Sequence, residues 1–321
     1  MRQAKAPRPR KTRQRDSRVT DRFQYRDFLA PRYWGAWCFI GFMQLIGRLS
    51  ERGRVRVAGW LTPPLMTLAR SRRHVAARNL QLCFPELSEA EQRALLKRAF
   101  FSYILGMLET ARSWVQPMEP MRDKVRWEGL EHLDAAQSKG QGVLLVGGHF
   151  TILDMAGALF GLIREYDLIY RKHDNELLNY FMTRSRERWC SRSIARRDMR
   201  GLIRSLREGR IVWYAPDQDY GRKASTFVPF FGIPTATVTM TTKLAQSSNA
   251  VVVPVFFYRD EDPSNYVARF EAPLPIPSDD ADADAAVFNE WLEARVREQP
   301  EQYLWLHKRF KTRPLGEPSV Y

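Results

Sequence analysis

The chain has 321 residues, 44% of them apolar, and a formal charge of +15. That is long enough for one large domain with an appendage and apolar enough for a real core, which excludes disorder throughout. Three cysteines, Cys38, Cys83 and Cys190, have no metal-ligand spacing and cannot all pair within the chain, which favours a reducing compartment over a disulfide scaffold.

Residues 1–26 carry ten Lys/Arg against Asp16 and Asp21, so +8 of the +15 sits in this short stretch. With prolines and no apolar periodicity, residues 1–27 are expected to form a disordered basic tail suited to an anionic bilayer or to nucleic acid. Next, fifteen residues between Arg32 and Arg48 carry no formal charge and are rich in aromatics. A spanning helix needs about 20 apolar residues, and both flanks are basic. The expectation is therefore an anchor lying in the cytoplasmic interface, with a single span as the competing reading and a plain core helix as the bland one. No small-residue cleavage site follows, which argues against a cleaved signal peptide. Residues 70–114 read as helical, with Ser88 and Glu91 spaced as a capping box ahead of Leu95, Phe100, Ile104, Leu105 and Leu108. Residues 28–120 thus form a membrane anchor and helical extension.

From 121 to 321 the pattern becomes α/β. Apolar runs at 142–147, 167–170, 211–215 and 250–257 read as strands of a largely parallel mixed sheet. Helical stretches are expected around 151–162, 175–189, 199–207 and 237–247. An antiparallel strand is expected at Tyr266–Glu271 and a late helix at Asp279–Glu298.

Ligand sites in such sheets gather at the carboxyl ends of the strands, and three polar clusters fall there. After the first strand, Gly147-Gly148 allows a tight turn to His149, with Asp154 in the first turn of the helix behind it. Five positions on one helix would set the two side chains roughly 140° apart. His149 therefore belongs on the turn, where Asp154 can curl back to one imidazole nitrogen while the other takes a proton. The bland alternative is a structural histidine and an acid favoured by the helix dipole. After the second strand come Arg171, Asp174 and Asn175, with Arg171 suited to a phosphate or an oxyanion. After the third come Asp217, Asp219, Tyr220, Gly221 and Arg222. Their carboxylates suit sugar hydroxyls or the fixing of arginines, although the composition also fits a plain turn. No phosphate-cradling glycine loop or third carboxylate argues for a metal there.

The chain resembles the lipid A biosynthesis acyltransferases, within the lysophospholipid acyltransferase superfamily. The residues carrying the resemblance are Arg78–Glu86, Gly147-Gly148-His149 with Asp154, Tyr170-Arg171 with Asp174, Asn175 and Leu178, Val212–Gly221, and Pro300–Pro314. It implies a glycerolipid acyltransferase-like α/β fold with N-terminal membrane-associated helices. It further implies transfer of a fatty acyl chain from acyl-carrier protein to a 3-hydroxyacyl hydroxyl of a Kdo-bearing lipid A precursor. No cofactor and no metal are implied. On this resemblance His149 is expected to act as general base, Asp154 to hold it, and Arg171, Asp174, Asn175, Asp217, Asp219, Tyr220, Gly221 and Arg222 to contact substrate. Lys308, Arg309, Lys311 and Arg313 would steer the acidic carrier or a lipid phosphate. With Cys190 away from the strand ends, direct transfer is expected rather than an acyl-enzyme. The implied location is the cytoplasmic face of the inner membrane. A lysophospholipid acceptor is one competing reading; a basic membrane-associated nucleic-acid-binding protein is another, although the body has no nucleic-acid-binding signature, so no specific nucleic acid is expected.

Overall fold

A computed structural model describes residues 23–321; most of the basic tail read from the sequence lies outside them. Seven strands form the main sheet: β1 (Val125–Glu128), β2 (Val143–Val146), β3 (Tyr166–Tyr170), β4 (Arg192–Ala195), β5 (Ile211–Tyr214), β8 (Val251–Arg259) and β9 (Tyr266–Phe270), in the order β1-β9-β8-β2-β5-β3-β4. All neighbours run parallel except β8 and β9. The expected mixed, mostly parallel sheet is thus present, including its antiparallel strand at 266. Central β2 pairs Val143 with Ile211 of β5 and Val251 of β8. All four of its side chains are fully buried, because helices cover both faces of a parallel sheet. Leu144 and Val146 enter one core, Val143 and Leu145 the other.

Four strands and one helix, Leu130–Ser138, were not anticipated. β1 and β4 are four-residue edge strands with mixed polarity, too short for alternation to separate them from loop. The hairpin β6 (Ser225–Phe230) and β7 (Ile233–Val238) turns at Phe231-Gly232, both with positive φ. Its end displaces the start of the helix expected from 237, so that α9 runs Met240–Ser248.

The helical stretch at 70–114 divides into α3 (Arg70–Cys83) and α4 (Glu89–Val115), broken at Phe84-Pro85. The capping box is formed: Ser88 Oγ accepts from Glu91 N, and Glu91 Oε2 accepts from Ser88 N, an arrangement worth about 1 kcal/mol. Before them, α1 (Trp34–Ile46) and α2 (Glu51–Leu68) pack on α4. Among the described residues no helix is long and apolar enough to cross a membrane. Trp34, Phe42, Leu45, Trp60 and Leu68 nonetheless stand exposed on α1 and α2.

The remaining helices α5 (Leu130–Ser138), α6 (Leu153–Phe160), α7 (Glu176–Arg186), α8 (Met199–Arg207) and α10 (Ala281–Glu298) complete the two covering layers. After α10 the chain runs irregularly across the carboxyl ends of the strands. There Phe150 and Tyr303 form an isolated antiparallel bridge, with Leu304 N donating to His149 O and Thr151 N to Gln302 O. The C-terminal segment is therefore built into the turn that follows β2.

Candidate active site

β2 ends at Val146, and the ladder continues for one residue as Gly147 N donates to Tyr214 O. Neither Gly147 nor Gly148 adopts a positive φ; what they supply is room. A Cβ on Gly148 would lie 2.5 Å from Leu292 Cδ1, and one on Gly147 would lie 3.0 Å from Val255 O. The chain turns here with side-chain-free backbone against α10 and β8, and His149 emerges half-buried.

The imidazole's partner is Asp217, on the loop after β5. His149 Nδ1 donates to Asp217 Oδ1, and the His149 backbone N–H donates to Oδ2 at 2.8 Å. Tyr303 Oη adds a third bond to Oδ2 at 3.0 Å. Asp217 is 1% exposed, so its charge is satisfied entirely by these donors. Burial pulls its carboxyl up, but the charge of His149, the two bonds from that residue and the charge of Arg309 hold it at about 2. For His149 burial opposes the cation; the Asp217 carboxylate, through charge and hydrogen bond, and Asp154 at longer range outweigh it and raise the imidazole above its ordinary value. With Nδ1–H committed to a carboxylate, neutral His149 carries its lone pair on Nε2, which no hydrogen bond engages among the described residues. This is the tautomer a general base requires.

The expected contact of Asp154 with His149 is not made. α6 begins only at Leu153, after a turn in which Leu153 N donates to Phe150 O, and this directs Asp154 towards α7. There it receives a bidentate pair from Arg186, Nε to Oδ1 at 2.7 Å and Nη2 to Oδ2 at 3.2 Å. Its effect on His149 is that of a nearby negative charge.

The other predicted residues divide into two groups. Asp217 and Asp219 are buried, and their oxygens serve the protein rather than standing open to sugar hydroxyls. Asp219 accepts from Gly221 N, Thr312 N and Thr312 Oγ1, tying the C-terminal segment to this turn. Gly221, at φ +82°, occupies a backbone region that favours glycine. Asn175 caps α7, accepting from Leu178 N. Arg171 and Asp174 form a loose pair at 4.0 Å and are largely exposed. Tyr220 is exposed beside Arg196, whose guanidinium lies 5.2 Å from the ring centroid, and Arg222 stands over Phe227. Arg171 and Arg196 come directly after β3 and β4, and Arg222 opens the short 3-10 turn on the segment that leaves β5, so each cation belongs to a connection at the carboxyl end of a strand. Of the C-terminal cations, Arg309 is not available for steering: it is 2% exposed and donates to Ala236 O and Thr237 Oγ1. Arg313 donates to Pro234 O and pairs with Glu317.

Sequence reasoning missed Arg186, Tyr303 and Arg196. Tyr303 lies inside the Pro300–Pro314 segment that carries the family resemblance, so the segment was visible while the role was not. Cys190 is fully buried, and burial pushes its thiol up to about 11. That makes it a poor nucleophile and agrees with an uninvolved cysteine.

The family model for bacterial lipid A biosynthesis acyltransferases matches residues 23–312. The lipid A biosynthesis lauroyltransferase of Escherichia coli K12 is 39% identical over 298 residues, covering 91% of this chain and 96% of that protein. The palmitoleoyltransferase of the same organism is 36% identical, covering 92% and 97%. Its myristoyltransferase is 31% identical, covering 92% and 93%.

Proposed function

Because the chain belongs to the bacterial lipid A biosynthesis acyltransferases, we propose that it transfers a fatty acyl chain from acyl-carrier protein to a 3-hydroxyacyl hydroxyl of a Kdo-bearing lipid A precursor. The observation that carries this reading is the His149–Asp217 pair at the strand ends. His149 Nε2 removes the proton of the acceptor hydroxyl as its oxygen attacks the thioester carbonyl carbon. The C–S bond then breaks, and the imidazolium returns the proton to the departing thiolate. Asp217 fixes the tautomer and stabilises the cation between these steps. The exposed cations Arg171 and Arg222, with half-buried Arg196, suit the phosphates of the acceptor or of the carrier's prosthetic arm.

The exposed apolar residues of α1 and α2 support attachment in the plane of a bilayer surface, with the catalytic body at the cytoplasmic face of the inner membrane. The experiment that tests the acceptor is a purified-enzyme assay with acyl-carrier-protein thioester and two acceptors, the lipid A precursor and a lysophospholipid, read by mass spectrometry. Acylation of the lipid A precursor is expected. Acylation of the lysophospholipid alone would replace this reading.

A further inference from the structure

The turn that positions His149 also positions a second imidazole. Two residues beyond Asp217, the backbone N–H of Asp219 donates to His307 Nε2 at 3.2 Å. A ring nitrogen that accepts a hydrogen bond carries no proton, so neutral His307 must carry it on Nδ1. One short turn therefore gives two histidines opposite proton arrangements: His149 offers a bare Nε2, and His307 offers a donor at Nδ1. No hydrogen bond engages that Nδ1 among the described residues. The ring lies close enough to the pair for the charges of both Asp217 and His149 to act on it.

The mount of His307 is rigid. Asn79, 1% exposed, donates through Nδ2 to Trp305 O at 2.7 Å and to His307 O at 2.8 Å. Arg72 donates to the intervening Leu306 O. Just beyond, Arg309 is anchored to β7. Three consecutive carbonyls are thus clamped by α3, which places a half-buried ring beside the reacting centre with little freedom. Burial above all, with the charges of His149 and Arg309 against those of Asp217 and Asp219, lowers this imidazole to about 4. It is therefore neutral under working conditions, a donor that does not itself give up its proton.

We propose that His307 is a second catalytic residue, whose Nδ1–H donates a hydrogen bond to the carbonyl oxygen of the acyl donor as attack places negative charge there. The inference rests on the acyl-transfer reading. As the acceptor oxygen bonds to the carbonyl carbon, the C=O π pair moves onto oxygen and is met by this donor. When the C–S bond breaks, the pair returns and the hydrogen bond weakens. Such a donor acts in the transition state more than in the ground state, so its loss falls on kcat rather than KM.

Two substitutions separate this role from a structural one. His307→Gln keeps an acceptor near the Nε2 position for the Asp219 N–H but removes the Nδ1 donor. His307→Asn places an amide N–H near Nδ1 but loses that acceptor. In the full-length protein with acyl-carrier-protein thioester, His307→Gln is expected to lower kcat by roughly 10²–10³-fold with KM little changed. His307→Asn should stay within about 10-fold of wild type, since it retains a donor. The reverse order, or near-normal kcat in both, would overturn the proposal. His149→Ala in the same assay tests the underlying reading: its inactivity together with a fully active His307→Gln removes only the role given to His307. If either His307 variant fails to fold, imidazole ¹⁵N spectra of the wild-type protein decide. Nδ1 of His307 should be the protonated nitrogen, and its proton should move downfield when a trifluoromethyl ketone analogue of the acyl donor binds. A protonated Nε2, or an unmoved signal with the analogue bound, would refute it.

Discussion

His149 and Asp217 stand 68 residues apart in the chain and are joined by two hydrogen bonds, one from the imidazole and one from the backbone of the same histidine. The carboxylate thereby fixes both the position of the turn and the orientation of the ring. Asp217→Asn keeps the shape but turns one acceptor into a donor, which favours the wrong tautomer. We expect kcat to fall about 10²–10⁴-fold with the fold retained. Steady-state kinetics beside a thermal melt checks this, and near-normal kcat in the Asp217→Asn enzyme would leave Asp217 without the role assigned to it.

The pair also sets a pH dependence with two opposed senses. His149 is raised above 6.5 by Asp217 against the effect of burial, and a base works only when neutral. In the proposed reaction kcat/KM should therefore climb with pH through a value above that of an ordinary histidine, and Asp217→Asn should move this limb to lower pH. Stability runs the other way. A raised imidazole contributes stability that is fully present below its unfolded pKa and is lost as pH rises through its folded one. Asp217, depressed from 3.8 to about 2, contributes above its unfolded value and loses its contribution as pH falls through its folded one. The stability gap between wild type and Asp217→Asn should accordingly be widest between about pH 4 and 6.5 and narrow on either side. Denaturation midpoints at stepped pH measure the gap; one that grows steadily above neutrality would contradict the pairing.

Asp154 shows where sequence spacing stops being informative. The strand at 142–147, the turn and the helix behind it were legible from glycine placement and apolar runs, and so was the presence of an acid near His149. Which acid touches the ring was not, because that depends on how far the turn rotates before α6 begins. Leu153 N reaching back to Phe150 O decides it. Contacts across 68 or 86 residues, such as Asp217 with His149 and with Tyr303, leave no local periodicity to read. β1, β4 and the β6/β7 hairpin escaped for a related reason, since their partners rather than their own patterns make them strands. Asp154 and Arg186 form one unit, so Asp154→Ala and Arg186→Met should each weaken the protein, and the double variant should be little worse than either single. A coupling of about 0.5–3 kcal/mol is expected from a double-mutant cycle in urea; strict additivity would show the two side chains to be independent.

Behind the catalytic turn, Glu109 of α4 and Arg259 of β8 form a buried pair, 1% and 4% exposed, with Nη2 to Oε2 at 2.5 Å. Arg259 also donates to Ser102 Oγ and Thr151 Oγ1, while Gln302 bonds its backbone N–H and carbonyl. Arg259 is thus tied to both segments that frame His149, by its guanidinium to Thr151 and by its backbone to Gln302. Glu109→Ala strands a guanidinium in the interior and should cost about 3–5 kcal/mol. Replacing both partners with leucine and methionine should cost less than the single change, because no uncompensated charge remains. Chemical denaturation of the three variants tests this, and a double variant less stable than Glu109→Ala would mean that the pair's own attraction dominates.

Gly106 sets the distance between α4 and the catalytic turn. A Cβ at this position would lie 2.0 Å from Thr151 O and 2.9 Å from its carbonyl carbon, backbone atoms that no rotamer change can withdraw. The turn cannot retreat easily, since Thr151 N is bonded to Gln302 O and Phe150 is bridged to Tyr303. In most helix interiors Gly→Ala stabilises through helix propensity; here the methyl group must push α4 outward or displace the turn that carries His149. Overpacking of this kind typically costs about 1–3 kcal/mol. Gly106→Ala should therefore lower the melting temperature, and because the displaced backbone lies two residues from His149, kcat should fall more than the stability loss alone explains. Gly59, on α2 with nothing within 4 Å of its added Cβ, is the internal control: Gly59→Ala should hold or raise stability and leave kcat unchanged. Equal effects at the two positions would show that helix propensity, and not contact with Thr151, governs Gly106.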